Sequence, residues 1–317
     1  MILITGGAGF IGPKLADRLL VRGEEVRVLD SFSSGSSSNL SNLSRPMELV
    51  KGDVRDASAV ARAAEGCKII YHLAAQSSVP KSMEDPVLDM ETNVEGTLNV
   101  LEAARNVGCK VVFASSSVVY GNAARTPTSE DEPLVPCSFY GVSKMAAESY
   151  CRVYSSLFGV PAVVLRLFNI YGPGTNKGVM VDLYRKLMRD PRRLEVLGTG
   201  KQTKDYLFID DTVEAFLLAS EKARCRGEAY NIGLGHSYSV LDIVGMMIYE
   251  LGLKGVAVAP KGGSAWAGDV ELTRPDVGKA KRDLGWEAKT GLREGLNKTL
   301  KWFECSLGGI EGARKLN

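Results

Sequence analysis

The first thirty residues constrain the fold more than any other stretch. Ile2-Leu3-Ile4 is a short apolar run of the kind that forms a buried parallel strand. It leads into Thr5-Gly6-Gly7-Ala8-Gly9-Phe10-Ile11-Gly12, then a helical stretch from Lys14 to Arg22 with Leu15, Leu19 and Leu20 as its apolar face. Glu25 to Leu29 reads as a second strand, and Asp30 ends it with a carboxylate. Strand, glycine turn, helix, strand and terminal acid are the parts of a dinucleotide-binding unit. Gly6 allows the tight turn, Gly9 lets the backbone approach a pyrophosphate, and Gly12 lets helix and strand pack closely. Backbone N–H groups at the helix start, around Phe10 and Ile11, hold the phosphates.

Asp30 suits the two hydroxyls of an adenosine ribose and repels a 2′-phosphate. No Arg or Lys occurs between Ser31 and Asn39 to receive one, so NAD is expected rather than NADP. The serine-rich segment from Ser31 to Ser44 reads as a loop beside that ribose, bringing Ser31, Ser34 and Gly35 to it. A third strand, Met47 to Val50, precedes Asp53 and Val54, with Asp53 placed to meet the adenine amino group. A fourth, beginning at Ile69, runs through His72 to Leu73, Ala74, Ala75 and Gln76, whose small residues let a cofactor lie against the backbone. His72 is read as a structural residue.

Tyr140-Gly141-Val142-Ser143-Lys144 puts a phenol and an ammonium on one helical face. A cation beside a phenol favours the phenolate, which makes Tyr140 a usable base. Upstream, an apolar strand ends in Ser115-Ser116-Ser117. Ser116, Tyr140 and Lys144 are the candidate catalytic groups.

Strands and helices alternate from Met1 to about Gly172, the pattern of a doubly wound parallel sheet in an α/β chain. After Gly172 the pattern loosens. Two units follow: a dinucleotide-binding domain over residues 1–172 and a smaller mixed lobe over 173–317, partly woven back into the first. A net charge of +2 leaves no footprint for nucleic acid or an anionic membrane. No apolar stretch reaches membrane-spanning length, and a first strand at Ile2 leaves no room for a signal peptide, so a cytoplasmic address is expected. The six cysteines are scattered without metal-ligand spacing, so no metal site is expected.

These motifs together resemble the extended short-chain dehydrogenase/reductase family, among its nucleotide-sugar epimerases and dehydratases. The glycine turn, His72 to Gln76, Thr92 to Thr97, Ala114 to Ser117, Tyr140 to Lys144, Arg166 to Pro173, Lys204 to Asp211 and Asp283 to Trp286 carry the resemblance. It implies that Asn93, Ser115 and Phe168 complete the cofactor pocket. Sugar 4,6-dehydratases carry Thr-Asp-Glu where this chain has Ser116-Ser117-Val118, and decarboxylating relatives carry a Glu there. The missing acids leave the pattern of a UDP-sugar 4-epimerase. The resemblance further implies substrate contacts from Ser116, Ser117, Asn169, Val179, Leu197, Lys204, Tyr206, Asp269 and Thr273, with homodimers formed through the Asn93 and Tyr140 helices. Trp266 stands where relatives keep a diphosphate arginine, and Arg274 is a candidate replacement. Thr273 is small enough to admit an N-acetyl sugar. A ketoreductase that releases its cofactor and a redox-sensing binding protein are the alternatives.

Overall fold

The computed structural model describes residues 1–263 and 270–308. In chain order it contains β1 (Ile2–Thr5), α1 (Gly12–Val21), β2 (Val26–Asp30), β3 (Glu48–Lys51), α2 (Ala57–Ala64), β4 (Ile69–His72), α3 (Val79–Glu84), α4 (Pro86–Met90), α5 (Gly96–Val107), β5 (Lys110–Ser116) and α6 (Phe139–Phe158). There follow β6 (Ala162–Leu167), β7 (Asn169–Tyr171), α7 (Val179–Arg189), β8 (Arg193–Val196), β9 (Thr203–Phe208), α8 (Ile209–Lys222), β10 (Arg226–Ile232), β11 (Ser237–Ser239), α9 (Val240–Glu250), β12 (Ala257–Pro260), α10 (Gly278–Leu284) and α11 (Leu292–Leu307).

Seven strands form one sheet in the order β10-β6-β5-β4-β1-β2-β3, and every pairing within it is parallel. The order reverses at β1, where the crevice of a doubly wound sheet opens. Side chains alternate across the sheet with period two. Leu3, Val111 and Phe113 therefore face α2, α5 and α6, while Ile4, Val112 and Ala114 face the side covered by α1 and α8. Both faces are apolar because both are covered. Phe113 is fully buried, and its truncation to alanine would cost about 3–5 kcal/mol.

The chain returns to this sheet after residue 172. β10 pairs with β6, and α8 packs on α1, β5 and β6. The other strands of the later half form a three-stranded sheet, β11-β9-β7, and a β12-β8 pair. Their core gathers Tyr184, Leu194, Phe208, Ile243, Met247, Leu296 and Phe303. Asn93 does not begin a regular helix: Glu91–Glu95 is a π-turn ahead of α5, a feature often found at functional sites.

Candidate active site

The crevice is built at the C-terminal ends of β1, β4 and β5. Gly6 has φ 68°, and a Cβ there would stand 2.6 Å from the Ala74 backbone, so the turn after β1 lies directly against the chain leaving β4. A Cβ on Gly12 would meet the backbone of Gly7 at 2.4 Å, so this glycine lets the start of α1 press on the chain leaving β1. A Cβ on Gly9 would meet only the Gly6 carbonyl, at 3.2 Å, which leaves one side of the turn open to a ligand. Phe10 lies in that turn, packed against the core of the later lobe, and Ile11 caps α1.

Asp30 is buried and accepts from the N–H groups of Ala8 at 2.8 Å and Phe32 at 2.7 Å. The 31–39 loop folds back over the glycine turn: Ser36 N–H and the Asn39 amide both donate to the Ala8 carbonyl. Gly35 lies so close to Ala8 that a Cβ would stand 2.7 Å from its oxygen. Ser31 is half-buried and Ser34 exposed on the same loop. Asp53 pairs with Arg55 at 2.9 Å, and that hydrogen-bonded guanidinium holds its carboxyl below the usual range. Val54 is buried under α5, where a Cβ on Gly96 would touch it.

His72 is fully buried with a tautomer fixed by its neighbours. Thr97 spends its hydroxyl proton on the Asn93 carbonyl at 2.6 Å, so His72 Nε2 donates to Thr97 at 3.0 Å. Nδ1 then accepts from Thr5 at 2.7 Å. Burial pushes this imidazole down to about 3, so it is neutral. Leu73 donates its N–H to the Thr5 carbonyl, Ala74 donates to Thr5 Oγ1, and Ala75 follows half-buried. The Gln76 N–H donates to Asn93 Oδ1 at 2.9 Å, while Asn93 Nδ2 lies near Gln76 O, Asp89 and Ser143. Asn93 is therefore a rivet between the chain after β4 and helix α6, its side chain already committed to protein partners.

The proton centre sits where β5 meets α6. Ser138 caps α6 by accepting from Gly141 N–H at 3.1 Å. Gly141 lets the helix start press on the turn after Ser116, since a Cβ there would be 2.9 Å from the Val118 carbonyl. Tyr140 N–H is held by Ser82 Oγ at 3.1 Å. The Ser116 side chain lies close enough to its phenol to favour the phenolate. Burial pushes the phenol up to about 12, against the lowering effect of Ser116. The expected lowering by Lys144 is not seen in the protein alone. That ammonium donates to the Ala114 carbonyl at 2.9 Å and lies 4.7 Å from the centre of the Phe113 ring. Burial pulls Lys144 down to about 8.

One turn further along α6, Glu148 receives the Ser115 hydroxyl and the Arg166 fork, the latter at 2.8–3.1 Å. Period two explains why Ser115 faces this pair and Ser116 does not. Arg166 continues to Tyr120 at 2.8 Å, Tyr120 to Asn231 at 2.7 Å, and Asn231 to the Thr128 carbonyl at 2.9 Å. This buried network joins the proton centre to β10 and to the chain at Thr128 and Glu130. The sequence reading missed it, although Arg166 lay within a quoted motif. Phe168 packs with Val119 and Tyr120 beside the network, and Ser117 is buried next to Ser116.

The expected substrate residues gather around β9. Asn169 Nδ2 donates to the Asp205 carbonyl at 2.8 Å, and Thr273 Oγ1 accepts from the Asp205 N–H at 3.3 Å. Lys204 and Tyr206 flank Asp205 on the same strand. The Asp205 carboxylate accepts from backbone N–H groups of Leu234 and His236, and burial raises it to about 7. Val179 opens α7, whereas Leu197 is exposed beyond β8, its carbonyl accepting from Gln202. Arg274 forms no ion pair among the described residues, and its buried Nε finds no acceptor there. Trp266 and Asp269 lie outside the described residues. Among the described residues no cluster of acids, histidines or cysteines could hold a metal, and no helix is long and apolar enough to cross a membrane.

The profile of GDP-mannose 4,6 dehydratase matches residues 3–299. The chain belongs to this family, within the extended short-chain dehydrogenases/reductases. It is 37% identical over 309 residues to the UDP-glucose 4-epimerase of Mycolicibacterium smegmatis, covering 95% of this chain and 97% of that one. UDP-glucuronic acid decarboxylase 1 of Xenopus tropicalis is 34% identical over 315 residues, 96% of this chain and 72% of the relative. The crystal structure of the dTDP-glucose 4,6-dehydratase DesIV from Streptomyces venezuelae, which holds NAD, matches with a TM-score of 0.88 at 31% identity, covering 98% of this chain and 99% of that one. Epimerase, decarboxylase and dehydratase thus share this fold, and local chemistry must separate them.

Proposed function

We propose that this protein is an NAD-dependent 4-epimerase of UDP-sugars, interconverting UDP-glucose with UDP-galactose and, with Thr273 by the sugar, their N-acetyl forms. One observation carries the reading: the proton centre has hydroxyls but no spare acid. Ser116-Ser117-Val118 holds no carboxylate. The carboxylates whose charge reaches Tyr140 and Lys144 are consumed, Asp89 by Gln76 and Asn93, Glu148 by Ser115 and Arg166. Water elimination or decarboxylation needs further acid–base groups, and epimerisation does not.

The cofactor is NAD. The open side of the glycine turn at Gly9 and the carboxylate of Asp30 fit its pyrophosphate and adenosine ribose. When bound, it supplies oxidation and re-reduction at the sugar C4. Tyr140 takes the proton of the C4 hydroxyl and later returns it. Ser116 hydrogen-bonds the same oxygen. Lys144 spends one of its three donors on Ala114 and keeps the others for the nicotinamide ribose. The ketose turns over about its diphosphate linkage and is reduced on its opposite face.

The test is purified protein given UDP-glucose without added cofactor. UDP-galactose should appear, and the denatured protein should release NAD or NADH. Neither epimer nor nucleotide would remove the proposal. Running UDP-N-acetylglucosamine in parallel decides whether Thr273 admits the acetamido group. The reading includes a homodimer, supported by exposed Val142, Tyr150, Val153 and Leu157 along one stripe of α6.

A further inference from the structure

The loop joining β7 to α7, residues 172–178, reaches the chain on both sides of the crevice. Gly172, Gly174 and Gly178 have φ of 148°, 99° and 99°. A Cβ on Gly172 would strike Ile209 at 2.4 Å, while one on Gly174 would rest 3.7 Å from the Phe10 ring of the glycine turn. Buried Thr175 fixes the bend: its N–H donates to the Gly172 carbonyl at 3.2 Å and its hydroxyl to the Lys177 carbonyl at 2.9 Å. Lys177 Nζ then donates to Ser77 Oγ at 2.6 Å, with the Ser77 carbonyl 3.5 Å away. Ser77 follows Gln76, which Asn93 and Asp89 hold in place. A lysine on the later lobe is thus latched to the segment that follows β4.

Lys177, Ser77 and Lys81 are all exposed, so this latch is open to solvent and to an arriving ligand. Among the described residues neither Lys177 nor Lys81 lies within ion-pair distance of a carboxylate. Crowding by protein atoms, and then the charge of Lys81, hold the Lys177 ammonium below the usual lysine range. The Lys81 charge acts on Lys177 beside the chain that leaves β4, and an arriving anion relieves both penalties. The Ser77 hydroxyl is an uncharged acceptor that such an anion can replace.

We infer that Lys177 is the ligand for the substrate's diphosphate, its ammonium passing from Ser77 to phosphate oxygens as a nucleotide sugar enters. The inference rests on the UDP-sugar reading above. A neutral hexose offers no charge to this cation, whereas the diphosphate carries the charge between sugar and nucleoside. Lys177 also stands beside the start of α7 at Val179, on the lobe expected to hold the nucleotide.

The experiment is calorimetric titration of the NAD-loaded protein with UDP and, separately, with uridine, for wild type, Lys177→Gln and Lys177→Arg. The glutamine variant should bind UDP at least about tenfold more weakly, as loss of one charge-assisted hydrogen bond requires. Uridine affinity should not change. The arginine variant should recover most of the loss. UDP affinity should depend less steeply on salt in the glutamine variant than in wild type. Unchanged UDP affinity in Lys177→Gln overturns the inference. Equal weakening of uridine also overturns it, by assigning Lys177 to loop packing, and so does loss of NAD, by assigning it to the cofactor. Failure of the epimerase reading looks different: wild type would bind UDP with the Lys177 contrast intact and still not equilibrate the C4 epimers.

Discussion

Burial and the Asp89 charge both push the Tyr140 phenol up, the Ser116 hydroxyl opposes them, and in the protein alone burial wins, leaving the phenol at about 12. A base needed at neutral pH therefore requires a further positive charge close to the phenol, and oxidised NAD carries one. Ultraviolet titration of NAD-stripped protein should show no Tyr140 phenolate below pH 10, and oxidised NAD should move that transition toward neutrality. A transition unmoved by NAD would contradict this account. Tyr140→Phe should lower kcat by about 10²–10⁴-fold while NAD stays bound, as loss of a positioned acid–base group does. The sequence placed Tyr140 and Lys144 on one face because helical spacing is local. It was silent on the Ala114 carbonyl that takes the ammonium, because that contact joins residues 30 positions apart.

Elements decide what the glycine turn tolerates. Gly12→Ala drives a Cβ into the Gly7 backbone and should lower the thermal midpoint, whereas Gly9→Ala meets only one carbonyl, at 3.2 Å. The Gly9 variant should fold like wild type yet be purified with less NAD, read from absorbance of the denatured extract. Equal thermal losses in both variants would count against separate roles. The joint between β5 and α6 depends on Glu148 and Arg166, whose side chains are each 7% exposed. Glu148→Gln leaves a buried guanidinium poorly paired and should cost about 3–5 kcal/mol in denaturant unfolding. The alternation of β5 was legible in its apolar pattern, as was the placement of Ser116 at its end. The network from Ser115 to Asn231 was not, because it joins residues brought together only by β5, β6 and β10 lying side by side.

At the scale of the whole molecule, folding should respond to acid through His72. Its imidazole falls from 6.5 to about 3 because burial disfavours the cation. Between those values the unfolded chain binds a proton that the folded chain refuses, so stability rises with pH across that window and falls as pH drops through it. Asp205, raised from 3.8 to about 7, gains stability as pH falls over the same range, so the His72 part is read by difference: between pH 7 and 4 the urea midpoint of wild type should fall relative to that of His72→Asn. An unchanged slope in the variant would place the acid sensitivity elsewhere. If the exposed α6 stripe joins two subunits, Val153→Asp with Leu157→Asp should yield monomers by sedimentation. The doubly wound sheet was readable from the order of strands and glycine turns. That the later half weaves back into it was expected, but not that β10 is the strand that completes it, since nothing local marks which sheet a strand will join. The most direct test of the central claim is UDP-glucose carrying deuterium at C4, incubated with the purified protein and no added cofactor. The account predicts a mixture of UDP-glucose and UDP-galactose with the label kept at C4 in both. A 6-deoxy-4-keto product, or no epimer at all, would contradict it.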